Sequence, residues 1–229
     1  MQAVIMAAGE GTRMRPLTYK TPKVMLPVKG KPILEHILNF LPDEISEVIL
    51  VVNYLSDQIE NYFKGEFGGR KITYVRQEEL NGTGGAVHAC KKYLKGRFLV
   101  LNGDDLHWKP DLEKLCQEEL GALAFEVEDP SKYGVLMTDS NGNLTGSIEK
   151  PETSEYNLIA TGAYVLNQKF FDYELVPIVK QEFGLPQTLA VMAKDYPVKV
   201  LKANLWMPVG NPEDLEKAQT EIEKFLTGA

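Results

Sequence analysis

Short apolar runs alternate with stretches of helical periodicity along the first half of the chain. Unbroken apolar runs are typical of strands buried on both faces, and they predict strands at Ala3–Ala8, Glu47–Val52, Lys71–Arg76 and Phe98–Leu101. Apolar residues spaced three and four apart predict helices at Pro32–Leu41, Leu55–Phe63 and Gly84–Leu94. Because a regular strand–helix order favours right-handed crossovers, we expect a mostly parallel sheet with helices packed on it.

Beyond Leu120 the pattern is richer in strands. Strands are predicted at Ala122–Val127, Val135–Thr138, Leu144–Ile148, Ile159–Leu166, Val198–Leu201 and Ala203–Trp206, and helices at Thr188–Lys194 and Pro212–Phe225. No internal repeat, low-complexity segment or linker-like stretch is found. We therefore predict one α/β domain over residues 1–229, with a mixed, mostly parallel central sheet flanked by helices. Its second half should form a wall opposite the first.

Charge, hydropathy and cysteine content limit the partners and the compartment that the chain can be expected to have. The net charge of −7, without a compensating basic stripe, argues against nucleic acid as a partner. No apolar stretch approaches the roughly 20 residues of a membrane span, so no membrane partner is expected. Cys90 and Cys116 lack metal-type spacing, which predicts buried free thiols in a reducing cytoplasm.

The loop after the first strand carries the first candidate chemistry. It reads Gly9-Glu10-Gly11-Thr12-Arg13, continues to Arg15, Lys20 and Lys23, and has no acidic residue between Glu10 and Glu35. Glycines let the backbone approach a ligand, and exposed N–H groups with clustered cations suit polyphosphate. Since open α/β sheets bind ligands at such strand ends, we predict a nucleotide-phosphate site here.

Two more polar motifs follow predicted strands. Asn102-Gly103-Asp104-Asp105 pairs two acids that Mg²⁺ would neutralise, although the same residues could simply form a turn before the helix at Pro110. Gln77 precedes Asn81-Gly82-Thr83-Gly84-Gly85, and its amide offers a donor and an acceptor that can read the edge of a base. The alternative for this motif is a polar loop with a glycine-rich helix start.

In order and spacing, these motifs resemble those of the sugar-1-phosphate nucleotidylyltransferases. The resemblance rests on Gly9–Thr18, Pro22-Lys23, Leu26-Pro27, Gln77, Gly82-Thr83, Gly103-Asp104, Tyr133-Gly134-Val135 and Glu149-Lys150-Pro151, and it extends to about Leu215. It implies a Rossmann-like fold, an NTP and a sugar 1-phosphate as small-molecule substrates, and Mg²⁺ as cofactor. It also implies a short form without the C-terminal β-helix of many members. A homo-oligomer is a further expectation, since family members are often oligomeric.

The resemblance also implies roles for individual residues. Nucleotide binding falls to Met6, Ala7, Ala8, Gly9, Gly11, Thr12, Arg13, Lys23, Gln77, Gly82, Thr83, Gly103 and Asp104. Sugar binding falls to Gly134, Glu149, Lys150, Thr161 and Gly162. The catalytic cations would be Arg13, Lys23 and Lys150. Asp104 would bind the metal.

The sequence shows no Ser-His-Asp or Cys-His arrangement, and the expected reaction does not require one. A sugar 1-phosphate already carries an anionic oxygen, so the reaction needs charge neutralisation and positioning rather than a general base. His36, His88 and His107 are accordingly expected on helix faces or loops, without a catalytic role.

One position departs from the family pattern. Pro208 stands where many relatives carry a second metal-binding Asp, and a proline side chain cannot bind a metal. Asn211 or Asp105 is a possible substitute, while the alternative for Asn211 is a cap on the helix starting at Pro212. If the departure were decisive, the chain would be a catalytically weak, nucleotide-sugar-binding regulatory subunit.

Two positions bear on the choice of substrate. By resemblance, Ala160 before Thr161-Gly162 favours glucose 1-phosphate, and Gly82-Thr83-Gly84 favours UTP or dTTP over GTP. The alternatives are mannose-1-phosphate guanylyltransferase, N-acetylhexosamine-1-phosphate uridylyltransferase and phosphocholine cytidylyltransferase.

Overall fold

The computed structural model describes residues 1–153, 155–178 and 181–227. Its strands are β1 (Gln2–Met6), β2 (Pro27–Val28), β3 (Lys31–Pro32), β4 (Glu47–Val52), β5 (Glu66–Phe67), β6 (Arg70–Arg76), β7 (Arg97–Asn102), β8 (Asp105–His107), β9 (Gly121–Glu126), β10 (Gly134–Thr138), β11 (Leu144–Glu149), β12 (Leu158–Asn167), β13 (Lys199–Lys202) and β14 (Trp206–Pro208). Its α-helices are α1 (Ile33–Phe40), α2 (Ser56–Phe63), α3 (Gly82–Ala89), α4 (Lys109–Leu115), α5 (Leu185–Met192) and α6 (Pro212–Thr227).

The central sheet is mixed, as predicted. Its strand order is β11-β10-β12-β7-β1-β4-β6-β5, with β9 paired to β12 and β13. The strands of the first half, β7, β1, β4 and β6, run parallel to their neighbours in this set. Strand β12 joins them antiparallel through β7, and it also pairs antiparallel with β9 and β10. The second half therefore extends the same sheet and carries its own residues to the edge where the parallel strands end.

Apolar side chains cover both faces of this sheet. Ile5 of β1 packs into a cluster that includes residues of α1, α2, α4 and α6. Its neighbour Val4 packs into a second cluster with residues of α3 and α5. Successive strand residues point to opposite faces, so a strand covered on both sides must be apolar throughout. This arrangement explains the unbroken apolar runs.

The prediction of a strand at Ala203–Trp206 was wrong. The described strand is β14, which begins at Trp206. Asp111 of α4 accepts hydrogen bonds from the backbone N–H and side chain of Asn204 and from the N–H of Leu205. These bonds turn the chain just where the predicted strand would have continued.

Two helices begin earlier than predicted. Helix α3 starts at Gly82 and ends at Ala89, and a short 3₁₀ turn follows it. Helix α5 starts at Leu185, with Pro186 in its first turn, where a missing N–H costs nothing. Among the described helices, none is long and apolar enough to cross a membrane. Cys90 and Cys116 are buried free thiols, and burial raises the pKa of each to about 12.

Candidate active site

A cleft of about 750 Å³ runs along the carboxyl ends of β1, β6 and β7 and is walled by the second half of the chain. Thirteen of the predicted site residues line it: Met6, Ala8, Gly9, Arg13, Gln77, Gly82, Thr83, Asp104, Gly134, Glu149, Lys150, Gly162 and Asn211. The predicted residues that do not line it are Ala7, Gly11, Thr12, Lys23, Gly103 and Thr161. The sequence motifs thus converge on one cavity, although several of their residues do not line it and belong to the layer behind its wall.

Lys23 is one of these supporting residues. It is 9% exposed, and its ammonium group donates a hydrogen bond to a carboxylate oxygen of Asp104. Gly11 makes room for it: the φ of Gly11 is +63°, and a Cβ there would lie 2.8 Å from the Cβ of Lys23. A side chain at position 11 would therefore strain the loop and displace the lysine.

Asp104 is held at the edge of the sheet by the residue before it. The N–H of Gly103 donates to the carbonyl of Met6 at 2.9 Å, which ties the end of β7 to the end of β1. A Cβ on Gly103 would lie only 2.6 Å from that carbonyl oxygen. Glycine is thus required for the two strand ends to meet. The Asp104 side chain remains 32% exposed towards the cleft.

Asp105 also lines the cleft, but it is only 7% exposed. Its Oδ2 accepts a hydrogen bond from Asn102 Nδ2 at 2.7 Å. Burial, and then the nearby charge of Asp104, raise the pKa of Asp105 well above its usual range. In the β8–β14 pair, Pro208 lies opposite Asp105.

The residues around Asp104 offer a small set of oxygen ligands for Mg²⁺. In the described part of the chain, no group of three His, Cys, Asp or Glu side chains is placed to hold a metal ion. Asp104 nevertheless offers a partly open carboxylate, and Asn211 on the same cleft offers an amide oxygen. Mg²⁺ commonly binds one or two carboxylates and completes its shell with water and substrate phosphates, so this sparse oxygen set fits it.

Asn211 also caps α6. Its Oδ1 accepts the N–H of Asp214 at 2.9 Å, and Asp214 Oδ2 in turn accepts the N–H of Gly210 at 2.9 Å. The first bond satisfies one of the N–H groups that a helix start leaves unpaired, and the second ties the residue before the cap to the first turn of α6. A carbonyl oxygen has two lone pairs, so capping leaves one free.

Arg13 reaches the same region from the other side of the cleft. A Cβ on Gly210 would lie 3.6 Å from Arg13 Nη1, so the guanidinium lies beside the start of α6. Among the described residues Arg13 has no carboxylate partner within salt-bridge distance. Its charge is therefore available to an anionic ligand.

One end of the cleft is built around Gln77. Its Nε2 donates to Asn81 Oδ1 and to the carbonyl of Gly82, both at 3.1 Å. Gly82 has a φ of +91°, and a Cβ there would meet the backbone oxygen of Phe183 at 2.6 Å. Thr83 Oγ1 accepts the N–H of Leu185 at 3.0 Å. These contacts fix the Gln77 amide with its NH₂ group turned towards Asn81 and Gly82.

The other end is built around Glu149. Its Oε1 lies 3.3 Å from Lys150 Nζ, and its Oε2 accepts from Gln187 Nε2 at 3.4 Å. A Cβ on Gly134 would lie 3.3 Å from Oε2, so the carboxylate rests over that glycine. Lys150 has a φ of +42°, an uncommon conformation for a residue with a side chain.

Thr161 and Gly162 play different parts. Thr161 is fully buried, and its hydroxyl donates to the carbonyl of Leu123 at 3.0 Å, away from the cleft. Gly162 lines the cleft with a φ of +82°, and a Cβ there would lie 2.1 Å from Asn102 Nδ2. The glycine therefore lets the Asn102 amide sit against the sheet.

None of the three histidines lines the cleft. His36 and His88 lie on α1 and α3, as expected, but His107 lies on β8 and is buried. Sequence reasoning missed other lining residues, among them Asn102, Tyr133, Gln187 and Trp206. Asn102 and Tyr133 belong to the predicted motifs, although no role was assigned to either, whereas nothing in the sequence indicated Gln187.

The chain is similar to known proteins over nearly all of its length. The sequence profile of a family described as nucleotidyl transferase matches residues 2–224. The bifunctional protein GlmU of Methanocaldococcus jannaschii is 38% identical, with 99% of this chain and 54% of that protein covered. The chain thus spans about half the length of the GlmU relatives it matches.

A second relative is matched from end to end. UTP–glucose-1-phosphate uridylyltransferase AglF of Haloferax volcanii is 32% identical, with 100% of this chain and 99% of that protein covered. Among solved structures, a UDP-glucose pyrophosphorylase complexed with UDP-glucose shares the fold, with a TM-score of 0.85 and 24% identity over 97% of this chain and 98% of that one.

Proposed function

The chain belongs to the nucleotidyl transferase family, and from this premise we propose that it condenses an NTP with a hexose 1-phosphate, giving a nucleotide-sugar and pyrophosphate. UTP or dTTP and glucose 1-phosphate are the best-supported substrates. The observation that carries the proposal is the set of groups that line one cleft. They are the fixed amide of Gln77, the cation of Arg13, the partly open carboxylate of Asp104, and Lys150 beside Glu149.

The proposed step is an in-line displacement at the α-phosphorus. A phosphate oxygen of the sugar 1-phosphate forms the new P–O bond, and the bond from the α-phosphorus to the bridging oxygen breaks. Pyrophosphate leaves with that oxygen. The attacking oxygen is already anionic, so no proton has to be removed, which agrees with a cleft that no histidine lines.

Roles are assigned by position to three cations, of which Arg13 and Lys150 line the cleft and Lys23 lies behind it. Arg13, without a carboxylate partner in the described structure, would hold the β- and γ-phosphates and the charge of the leaving pyrophosphate. Lys23 would act at the α-phosphate, with Asp104 orienting its ammonium group. Lys150 would hold the phosphate of the sugar. Such fixed charges allow one anion to approach another without solvent reorganisation.

Asp104 is the proposed Mg²⁺ ligand, with Asn211 as a second oxygen donor. When bound there, Mg²⁺ would neutralise phosphate charge and align the triphosphate. Pro208 contributes no side-chain ligand. This leaves more of the coordination shell to water and phosphate than a second carboxylate would.

The base-reading end favours a base with a ring N–H. Both hydrogen bonds of the Gln77 amide use its nitrogen, which leaves Oε1 to accept. Uracil and thymine offer a ring N–H at that edge, whereas the corresponding cytosine nitrogen is an acceptor. This supports UTP or dTTP over CTP. The full-length similarity to a UTP–glucose-1-phosphate uridylyltransferase supports the same base and adds support for glucose.

The test is pyrophosphate release with Mg²⁺. UTP, dTTP, GTP, CTP and ATP are crossed with glucose, mannose and N-acetylglucosamine 1-phosphates and with phosphocholine, and each reaction is repeated with EDTA. We expect release with UTP or dTTP and glucose 1-phosphate, and none with EDTA. Release with a different pair would overturn the substrate assignment, and release with no pair would overturn the proposed activity.

A further inference from the structure

Gln187 lines the cleft and has a buried hydrogen-bond acceptor without a partner in the described part of the chain. The residue is 9% exposed and lies in the first turn of α5. Its Oε1 is buried and has no hydrogen-bond partner among the described residues. Buried polar atoms are nearly always paired, so an unpaired acceptor on a residue that lines a ligand cleft points to a partner supplied by the ligand.

The Gln187 amide is held in one orientation. Its nitrogen donates to Glu149 Oε2, so its oxygen must face the other way. The opposite orientation would set the amide oxygen against a carboxylate oxygen, two acceptors with no proton between them.

Gly184, which precedes α5, provides the space for that oxygen. A Cβ at position 184 would lie 1.8 Å from Gln187 Oε1. The φ of Gly184 is −86°, an ordinary value, so the glycine is not needed for its backbone conformation. It is needed because any side chain would push the amide oxygen out of its place.

The neighbours of Gln187 define which end of the substrate it meets. Glu149 lies beside Lys150, the proposed partner of the sugar phosphate, and Gly134 lies beneath the carboxylate. The Gln187 oxygen lies on the side of its amide away from Glu149, so this region holds two separate acceptors, that oxygen and the Glu149 carboxylate. A hexose offers several hydroxyl donors, and two of them could pair with these acceptors.

We propose that Gln187 is a specificity-determining residue whose Oε1 accepts a hydrogen bond from one hydroxyl of the hexose, with Glu149 and Gly184 fixing its orientation. This inference rests on the proposed function and names a contact within it. A site that pairs a buried acceptor with a substrate hydroxyl rejects an analogue lacking that hydroxyl, because the acceptor is then left unpaired.

The first experiment replaces Gln187 by methionine, which keeps the length of the side chain and removes the acceptor. Gln117→Met is the matched control, since Gln117 is exposed on the surface. Kinetic constants are measured for UTP, for glucose 1-phosphate and for its 2-, 3-, 4- and 6-deoxy analogues. We expect kcat/KM for glucose 1-phosphate to fall about tenfold or more in Gln187→Met, with the KM for UTP within about twofold of the original.

The deoxy series identifies the hydroxyl. One analogue should be a poor substrate for the original chain and lose nothing further in Gln187→Met, because the same hydrogen bond is already missing. An equal further loss with every analogue, or no loss with glucose 1-phosphate, would overturn the proposal.

A second variant disrupts the same hydrogen bond without replacing Gln187. Gly184→Ala should displace Oε1 and reproduce the loss for glucose 1-phosphate, while Gly65→Ala, at a glycine with open space around its Cα, should not. Normal discrimination among the deoxy sugars in folded Gly184→Ala would contradict the assigned orientation.

Binding separates this inference from the proposed reaction. UDP-glucose and UDP are titrated into the original chain and Gln187→Met in a calorimeter. If no substrate pair releases pyrophosphate, a selective loss of UDP-glucose affinity of about tenfold still supports the role of Gln187. Equal affinities in the two proteins would refute it.

Discussion

The ammonium group of Lys23 donates a hydrogen bond to Asp104, which lies 81 positions later in the chain. The lysine comes from the loop after β1 and the aspartate from the end of β7, two strands that are neighbours in the sheet. A carboxylate that orients a cation and still faces the cleft can also take a divalent ion. We therefore expect the replacement of Asp104 to reduce the catalytic rate more than the replacement of other residues of the cleft.

Asp104→Asn keeps the shape of the side chain and removes its charge. We expect kcat to fall about a thousandfold or more, since both the Mg²⁺ ligand and the partner of Lys23 are lost. Pyrophosphate release over a range of Mg²⁺ concentrations measures the effect. Asp43→Asn is the control, because Asp43 pairs with Lys109 on the exposed surface. Activity within a few-fold of the original would show that Asp104 does not bind the metal.

Lys150→Met removes the cation beside Glu149 and keeps most of the side-chain length. We expect the KM for glucose 1-phosphate to rise about tenfold or more, while the KM for UTP changes little, because the charge serves the sugar phosphate. Lys202→Met, which breaks an exposed pair with Glu126, is the control. Equal increases in the two KM values would assign Lys150 to both substrates and contradict the prediction.

Asn211 has two proposed duties, and two substitutions separate them. Asn211→Ala should lower the free energy of unfolding by about 1 kcal/mol through loss of the α6 cap. Asn211→Ser keeps a capping oxygen on a shorter side chain, so stability should recover. The Mg²⁺ concentration for half-maximal activity should nevertheless rise, and an unchanged Mg²⁺ requirement would leave Asn211 a cap alone. Urea unfolding and a Mg²⁺ titration are the measurements.

Gly162→Ala tests the close packing behind the cleft. Its φ of +82° and the nearby amide of Asn102 predict both backbone strain and a clash. Gly142 has a φ of +74°, but a Cβ there would meet nothing closer than 3.8 Å, so Gly142→Ala adds strain alone. We expect losses of about 1 kcal/mol for Gly142→Ala and about 3 kcal/mol or more for Gly162→Ala in urea unfolding. Similar losses in the two variants would show that Asn102 moves aside freely.

The parallel half of the fold and most of the predicted residues of the cleft could be identified from the sequence, for a physical reason. Strands β1, β4 and β7 are covered on both faces, so each had to be an apolar run that ends at a polar loop. The pairing of β8 with β14 could not be predicted, because a strand of three residues is too short to show the alternation of apolar and polar side chains. The different exposure of Asp104 and Asp105, which both line the cleft, was also hidden, since the sequence does not say which of two neighbouring acids the fold covers.

Gln187 shows a different limit. The apolar pattern predicts α5 only from Thr188, because Pro186 and Gln187 interrupt it, so the residue fell in a loop with no stated role. Its proposed role depends on Gly184, which is close in sequence, and on Glu149, which lies in a distant strand. Only the folded chain brings the three together.

The last prediction concerns stability in acid. His107 is 2% exposed, its Nε2 donates to the carbonyl of Thr161 at 3.0 Å, and burial lowers its pKa from 6.5 to about 4. Below pH 6.5 the unfolded chain takes up a proton at this histidine, whereas the folded chain does not until about pH 4. The free energy of unfolding should therefore fall through this range, by about 3 kcal/mol in all.

The variant His107→Gln isolates this contribution. Other titrating groups, including Asp105, remain in both proteins, so the difference between their pH profiles reports on His107. Urea unfolding from pH 7.5 to pH 4 should show a steeper loss of stability in the original chain than in the variant. Parallel profiles would mean that His107 is protonated as readily in the fold as in the unfolded chain, and that burial does not lower its pKa.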